Sequence, residues 1–140
     1  MTPSNTPSQN RILAALSLSV YERLQPDLEL VRIRVGDDIY EPDIPISYLY
    51  FPVDCIVACV AELSDGEALL TAITGQEGIV GISCLLGYES APARAVALSG
   101  GSALRIKSSA LKKEFDSGDE LQRLLLRFTQ IRILQKAHIA

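Results

Sequence analysis

The chain has no tryptophan and, in 140 residues, one histidine, His138. A single imidazole excludes metal centres built from converging histidines, the cupin enzymes on jelly-roll folds among them. A Ser-His-Asp triad would need that same histidine, close to the chain end, and no nucleophile motif supports one. There are three cysteines, Cys55, Cys59 and Cys84, with no CxxC pair. An odd number argues against a closed disulfide framework, and none lies near the N-terminus, where an iron-sulfur sensor would carry its ligands. On one strand Cys55 and Cys59 would stand roughly 13 Å apart at about 3.3 Å per residue, too far for a shared ion, so all three read as buried reduced thiols. No apolar run approaches the roughly 18 residues that cross a bilayer, and MTPSNTPSQN lacks the parts of a secretory signal, so a cytoplasmic protein without membrane contact is expected. Basic residues are also outnumbered, 13 against 17, for a net charge of -4. A nucleic-acid binder normally carries a basic face, so this chain by itself is a poor DNA reader. No catalytic constellation emerges, and the expectation is a protein that is not an enzyme.

What is present suits one core: 48% of the residues are hydrophobic. Residues 1–9 have little to bury and are expected to be a disordered lead-in. Asn10 can cap a short helix, RILAAL, and Ser19 with Glu22 matches a capping box opening a second, SVYERLQ, which Pro26 ends. From Leu28 the apolar period becomes two, through Leu28, Leu30, Ile33 and Val35, with one slip near Val31. Further strands are expected in DIYE, YLYF, CIVACVAEL, EALLTAIT, ARAVAL and SALRIK. Turns separate them at Gly36-Asp37, Pro42 to Pro45, Pro52 to Asp54, Asp65-Gly66 and Gly100-Gly101. Asp65-Gly66 is the sharpest of these and pairs Cys55–Leu63 with Glu67–Thr74 as a hairpin. Short strands without intervening helices imply an antiparallel sandwich or barrel over residues 10–118.

The pattern then returns to helix. SSALKKEF stops at Gly118, and Asp119 caps a run from Glu120 to the chain end. Within residues 119–140, Leu121, Leu124, Phe128 and Ile131 form a heptad seam that Gln135 and His138 continue. Leu125, Leu126, Ile133 and Leu134 lie beside or behind it. A helix greasy on more than one face is expected to be covered twice, by its own domain and by a second copy, so these six seam positions are the candidate dimerisation residues.

Two short helices, a β-roll with a late glycine-rich element, and a long final helix occur in an order similar to the sensor domain of bacterial Crp/Fnr-type transcription regulators. The resemblance runs from Asn10 to Ala140 and rests on GDDIYEPDIPI from Gly36, YLYFPVDCIV from Tyr48, SDGE at Ser64 and GQEGIVGISCLLG from Gly75. Family members often have glycine where this chain has Asp43 and Cys55. The fold implied is mainly β with flanking helices, an antiparallel double-stranded β-helix of the cyclic nucleotide-binding type plus a long C-terminal dimerisation helix. The resemblance also implies a cassette at Gly78, Ile79, Val80 and Gly81, with Arg94 and Ala95 completing the candidate ligand site. In relatives backbone N–H groups and an arginine hold a cyclic phosphate, while a glutamate holds the ribose hydroxyl. Here Ile79 takes the glutamate's place in that alignment, and GYESAP is inserted before Arg94. The implied ligand is a cyclic nucleotide, cAMP or cGMP, or another small effector. The implied partners are a second copy of the chain and, through a helix-turn-helix domain beyond residue 140, DNA. Two alternatives stand beside this: a regulatory domain of the same fold on an enzyme or channel, and an interaction module without a ligand.

Overall fold

The amide of Asn10 is used at both ends. Its Oδ1 accepts from the N–H groups of Ile12 and Leu13 at 3.0 and 3.3 Å, opening α1 (Arg11–Ala14) as the sequence suggests. Its Nδ2 donates to the carbonyls of Pro52 and Gly78 at 2.8 and 3.0 Å. The computed structural model describes the backbone of residues 10–62, 65–86 and 93–139, and side chains in those ranges up to Arg132 other than Glu62.

Helix α2 (Leu18–Leu24) begins two residues earlier than the Ser19–Glu22 box implies, with Ser17 at the capping position. The Ser17 hydroxyl turns to that of Ser19, and its N–H donates to the Glu120 carboxylate, so a contact from the far end of the chain replaces the local box. Pro26 lies in the 3₁₀ turn Gln25–Asp27 that ends this helix.

Seven strands follow: β1 (Glu29–Ile33), β2 (Asp38–Tyr40), β3 (Tyr48–Pro52), β4 (Ile56–Glu62), β5 (Ala68–Thr74), β6 (Ala93–Ser99) and β7 (Gly101–Lys107). They form two antiparallel sheets, β1-β7-β3 and β2-β6-β4-β5. The expected hairpin is present: β4 pairs β5 in antiparallel register, and Gly66 takes the left-handed φ of 88° that its turn needs. Residues 63 and 64 of that hairpin lie outside the described residues. Strand β1 differs in detail from the sequence pattern. Register with β7 places Val31 and Ile33 on the face that packs toward the other sheet, whereas Leu30 and Val35 are 41% and 71% exposed. The apparent phase slip arose from counting Leu30, which points outward, as core; Val35 keeps the phase of Val31 and Ile33 but lies beyond the strand.

Alternation divides the interior into two apolar clusters. Ile33, Val57, Ala95, Ala97 and Ala103 fill the space between the sheets. Leu49, Phe51, Leu104 and Ile106 face the other way, against Leu13, Leu24, Leu111, Leu121 and Leu125 of the helices. Helices α3 (Ser108–Asp116) and α4 (Glu120–Ile139) are separated by Gly118, whose φ of 76° ends the first of them.

A forked ion pair ties α2 to α3: Arg23 Nε and Nη2 donate to the two carboxylate oxygens of Glu114 at 3.0 and 2.9 Å. Hydrogen bonding to Arg23 holds the Glu114 carboxyl below the ordinary carboxylate range. A lowered carboxylate contributes stability above its unfolded pKa and loses it as pH falls through the folded value. Urea midpoints should therefore fall between about pH 5 and pH 3, and Glu114→Gln should flatten part of that slope. An unchanged slope in the variant would show that the pair contributes nothing to acid stability.

Candidate functional site

Between β5 and the next helical turn the chain makes a glycine turn held by its own side chain. Gly78 N–H donates to the Gly75 carbonyl at 3.1 Å, and the Glu77 carboxylate accepts from Gly75 N–H. Helix α4 is keyed to this turn. A Cβ at Gly78 would lie 2.8 Å from Phe128 Cζ and 2.8 Å from Thr74 Cγ2, so the ring occupies space that only glycine leaves open. One turn further along α4, Arg132 donates to Thr74 Oγ1 at 3.0 Å, pairs with Glu77 at 3.3 Å and lies 5.1 Å from the centre of the Phe128 ring.

Val80 then exchanges backbone hydrogen bonds with Tyr50 of β3, at 2.8 and 3.0 Å. Gly81 follows with a φ of 101°, and Ile82–Leu86 form a 3₁₀ turn. The short helical turn that the resemblance implies thus starts after Gly81, one step later than a cassette over Gly78 to Gly81. Ile79 and Val80 are 3% and 2% exposed, and their side chains belong to the two apolar clusters, not to a ligand-facing surface. The first residue of the turn is Ile82, which has no hydrogen-bond acceptor in its side chain. Moving the alignment therefore does not restore a ribose acceptor.

Arg94 and Ala95 are adjacent on β6 but face opposite ways. Ala95 is fully buried between the sheets, while Arg94 is exposed on the outer side, across from Val60 of β4. The structure does not bring the guanidinium and the 3₁₀ turn into one space. Residues 87–92 of the inserted loop lie outside the described residues.

The six seam positions also separate. Leu121 is 0% exposed and belongs to the domain's own core, with Leu124 and Phe128 packed against it. Leu121 is thus a core residue, not a surface one, because the inward stripe of α4 runs Leu121, Leu125, Phe128, Arg132. Ile131 and Leu126 are 46% and 45% exposed and are the described apolar side chains of α4 that face away. The backbone of Gln135 and His138 continues α4, and their side chains lie outside the described residues.

The sequence pattern did not point to a cavity of about 200 Å³ between the β2–β3 loop and β3. Asp38, Tyr40, Glu41, Ile46, Tyr48 and Tyr50 are among its lining residues. The signal was present in YLYFP: Leu49 and Phe51 point to the helices, so Tyr48 and Tyr50 must share the opposite face. Their ring centres are 6.5 Å apart, and the Arg105 guanidinium lies 4.1 Å from the centre of the Tyr48 ring while paired with Glu29 at 2.6 Å. The Tyr40 hydroxyl lies 3.6 Å from Cys59 Sγ, and burial first, then the thiol, pushes the phenol well above its ordinary range. Burial likewise raises Cys55 and Cys84, which disfavours the thiolate form of both. Asp43 adopts a φ of 64° in the loop bounding the cavity, the left-handed geometry that a glycine in its place would favour.

No family model and no curated protein matches the sequence. Solved structures do share the fold. A putative cyclic nucleotide-binding protein from Geobacter metallireducens GS-15 is similar at a TM-score of 0.76 and 16% identity, over 99% of this chain and 100% of that one. CLP, a c-di-GMP responsive global regulator from Xanthomonas campestris, is similar at 0.74 and 19%, over 87% of this chain and 62% of CLP. The N-terminal domain of a transcriptional regulator from Streptomyces coelicolor A3(2) is similar at 0.67 and 21%, over 96% and 94% of the two chains. The fold is that of the sensor domains of Crp/Fnr-type regulators and of cyclic nucleotide-binding proteins. Among the described residues no helix is long and apolar enough to cross a membrane.

Proposed function

We propose that this chain is the effector-sensing and dimerisation part of a bacterial, cytoplasmic Crp/Fnr-type transcription regulator, with no catalytic activity of its own. The observation that carries this reading is the docking of α4 on the Gly75–Gly78 turn through Phe128 and Arg132. A rearrangement in the roll that moves Val80 or the turn also moves the seat of the long helix. In the proposed dimer α4 meets its copy through the exposed flank that carries Ile131, and a helix-turn-helix domain outside this chain contacts DNA.

The effector in this reading is a small molecule other than cAMP or cGMP. A ribose hydroxyl placed beside Ile79 or Ile82 would lack a partner, which costs roughly 1–3 kcal/mol. A cyclic phosphate near the 3₁₀ turn would meet no guanidinium from Arg94. Calorimetry with cAMP and cGMP is expected to give no saturable heat, with wild type and Arg94→Ala indistinguishable. A saturable exotherm that Arg94→Ala abolishes would overturn this choice of effector.

A further inference from the structure

We propose that the cavity between the β2–β3 loop and the Tyr48–Tyr50 face binds a small organic cation of the alkylated-ammonium class. Its size is the first constraint. At about 200 Å³ it is smaller than the roughly 300–1,000 Å³ of pockets that enclose drug-sized ligands. It does not enclose a whole nucleotide, whereas its volume suits a compact ammonium.

Charge is the second. The lining carries two carboxylates, Asp38 and Glu41, and no lysine, arginine or histidine. Among the described residues neither carboxylate forms an ion pair. An anion is therefore disfavoured at this mouth and a cation attracted to it. The third constraint is the aromatic wall. Tyr40, Tyr48 and Tyr50 all contribute to the lining, and a ring face attracts a cation through its quadrupole. Tyr48 already takes the Arg105 guanidinium on one face, and Glu29 neutralises that guanidinium, so Arg105 does not oppose a second cation. The rim is also preformed. Pro42 and Pro45 restrict the backbone on either side of Asp43, which reduces the ordering that binding would otherwise require.

The cavity is wired to the turn beneath α4. Tyr50 lines it, and the Tyr50 backbone holds Val80 by two hydrogen bonds, two residues beyond the glycine that seats Phe128. The Ser47 carbonyl at its edge accepts from Ser108 N–H at the start of α3. As a trigger for α4 the site rests on the sensor reading above; as a binding site it does not.

The test is calorimetry of the 140-residue chain with choline chloride, beside its uncharged isostere 3,3-dimethyl-1-butanol. Choline is expected to bind saturably and the isostere about tenfold more weakly. Glu41→Gln and Tyr48→Leu should each weaken choline several-fold. Should Tyr48→Leu fail to fold, Glu41→Gln, an exposed change, still reads the site. No saturable choline binding, equal binding of the isostere, or binding unaffected by Glu41→Gln would each overturn the proposal. Choline binding by a strictly monomeric chain would leave this site standing and remove the sensor reading. A dimer that ignores choline would do the reverse.

Discussion

Leu121→Ala is expected to lower folding stability by roughly 2–5 kcal/mol, the range for truncating a fully buried leucine. Leu121 is 0% exposed, in a cluster that gathers Leu13, Leu24 and Leu111 from the other helices and Leu125 from its own. Three of those neighbours are on elements with their own tertiary contacts, so the site cannot collapse freely and a cavity should remain. Against a typical domain stability of about 5–15 kcal/mol this is a large fraction. Urea denaturation at several protein concentrations is the measurement. The loss should be the same at each concentration, because it arises inside one chain. A loss confined to low concentration would return Leu121 to the dimer seam. Ile131→Ala, at a position 46% exposed, should change the stability of a single chain by no more than about 0.5 kcal/mol.

Asn10→Ala should cost a comparable amount, roughly 2–4 kcal/mol, although the residue stands at the edge of the fold. The side chain is 0% exposed and its four hydrogen bonds satisfy two N–H groups of α1 and the carbonyls of Pro52 and Gly78. Alanine leaves all four without that partner. Asn10→Asp separates the two roles: it keeps the capping acceptor, loses both donations and adds a buried charge. It should therefore be no more stable than alanine. Thermal melts of the three proteins check this, and an aspartate variant as stable as wild type would show that capping alone matters. Because Gly78 is one of the acceptors, Asn10 also fixes the turn on which Phe128 rests.

Strand positions were legible wherever a local residue marks the end of an element. Gly66 and Gly118 take left-handed φ where the pattern places a hairpin and a helix stop, and Asn10 caps where its type suggests. What was not legible depends on contacts between distant segments. Ser17 displaces Ser19 as a cap because Glu120 reaches back to it from α4. The face of α4 was ambiguous because Leu121 and Phe128 belong both to a heptad seam and to the stripe Leu121, Leu125, Phe128, Arg132. The burial of Leu125, the exposure of Ile131 and the bond from Arg132 to Thr74 decide between them. The cassette was displaced for a similar reason. Gly78 and Gly81 look alike in sequence, yet the first is there to admit a ring and the second takes the positive φ that precedes the 3₁₀ turn. Arg94 points outward because Ala95 and Ala97 alternate into the space between the sheets, and which phase of β6 turns inward is set by that packing.

Solution mass by light scattering, on the wild-type chain and on an Ile131→Glu variant, bears most directly on α4 as the joint between sensing and dimerisation. The wild type is expected to scatter as two chains and the variant as one, with the same far-ultraviolet circular dichroism. A wild type that is strictly monomeric with α4 intact would contradict it.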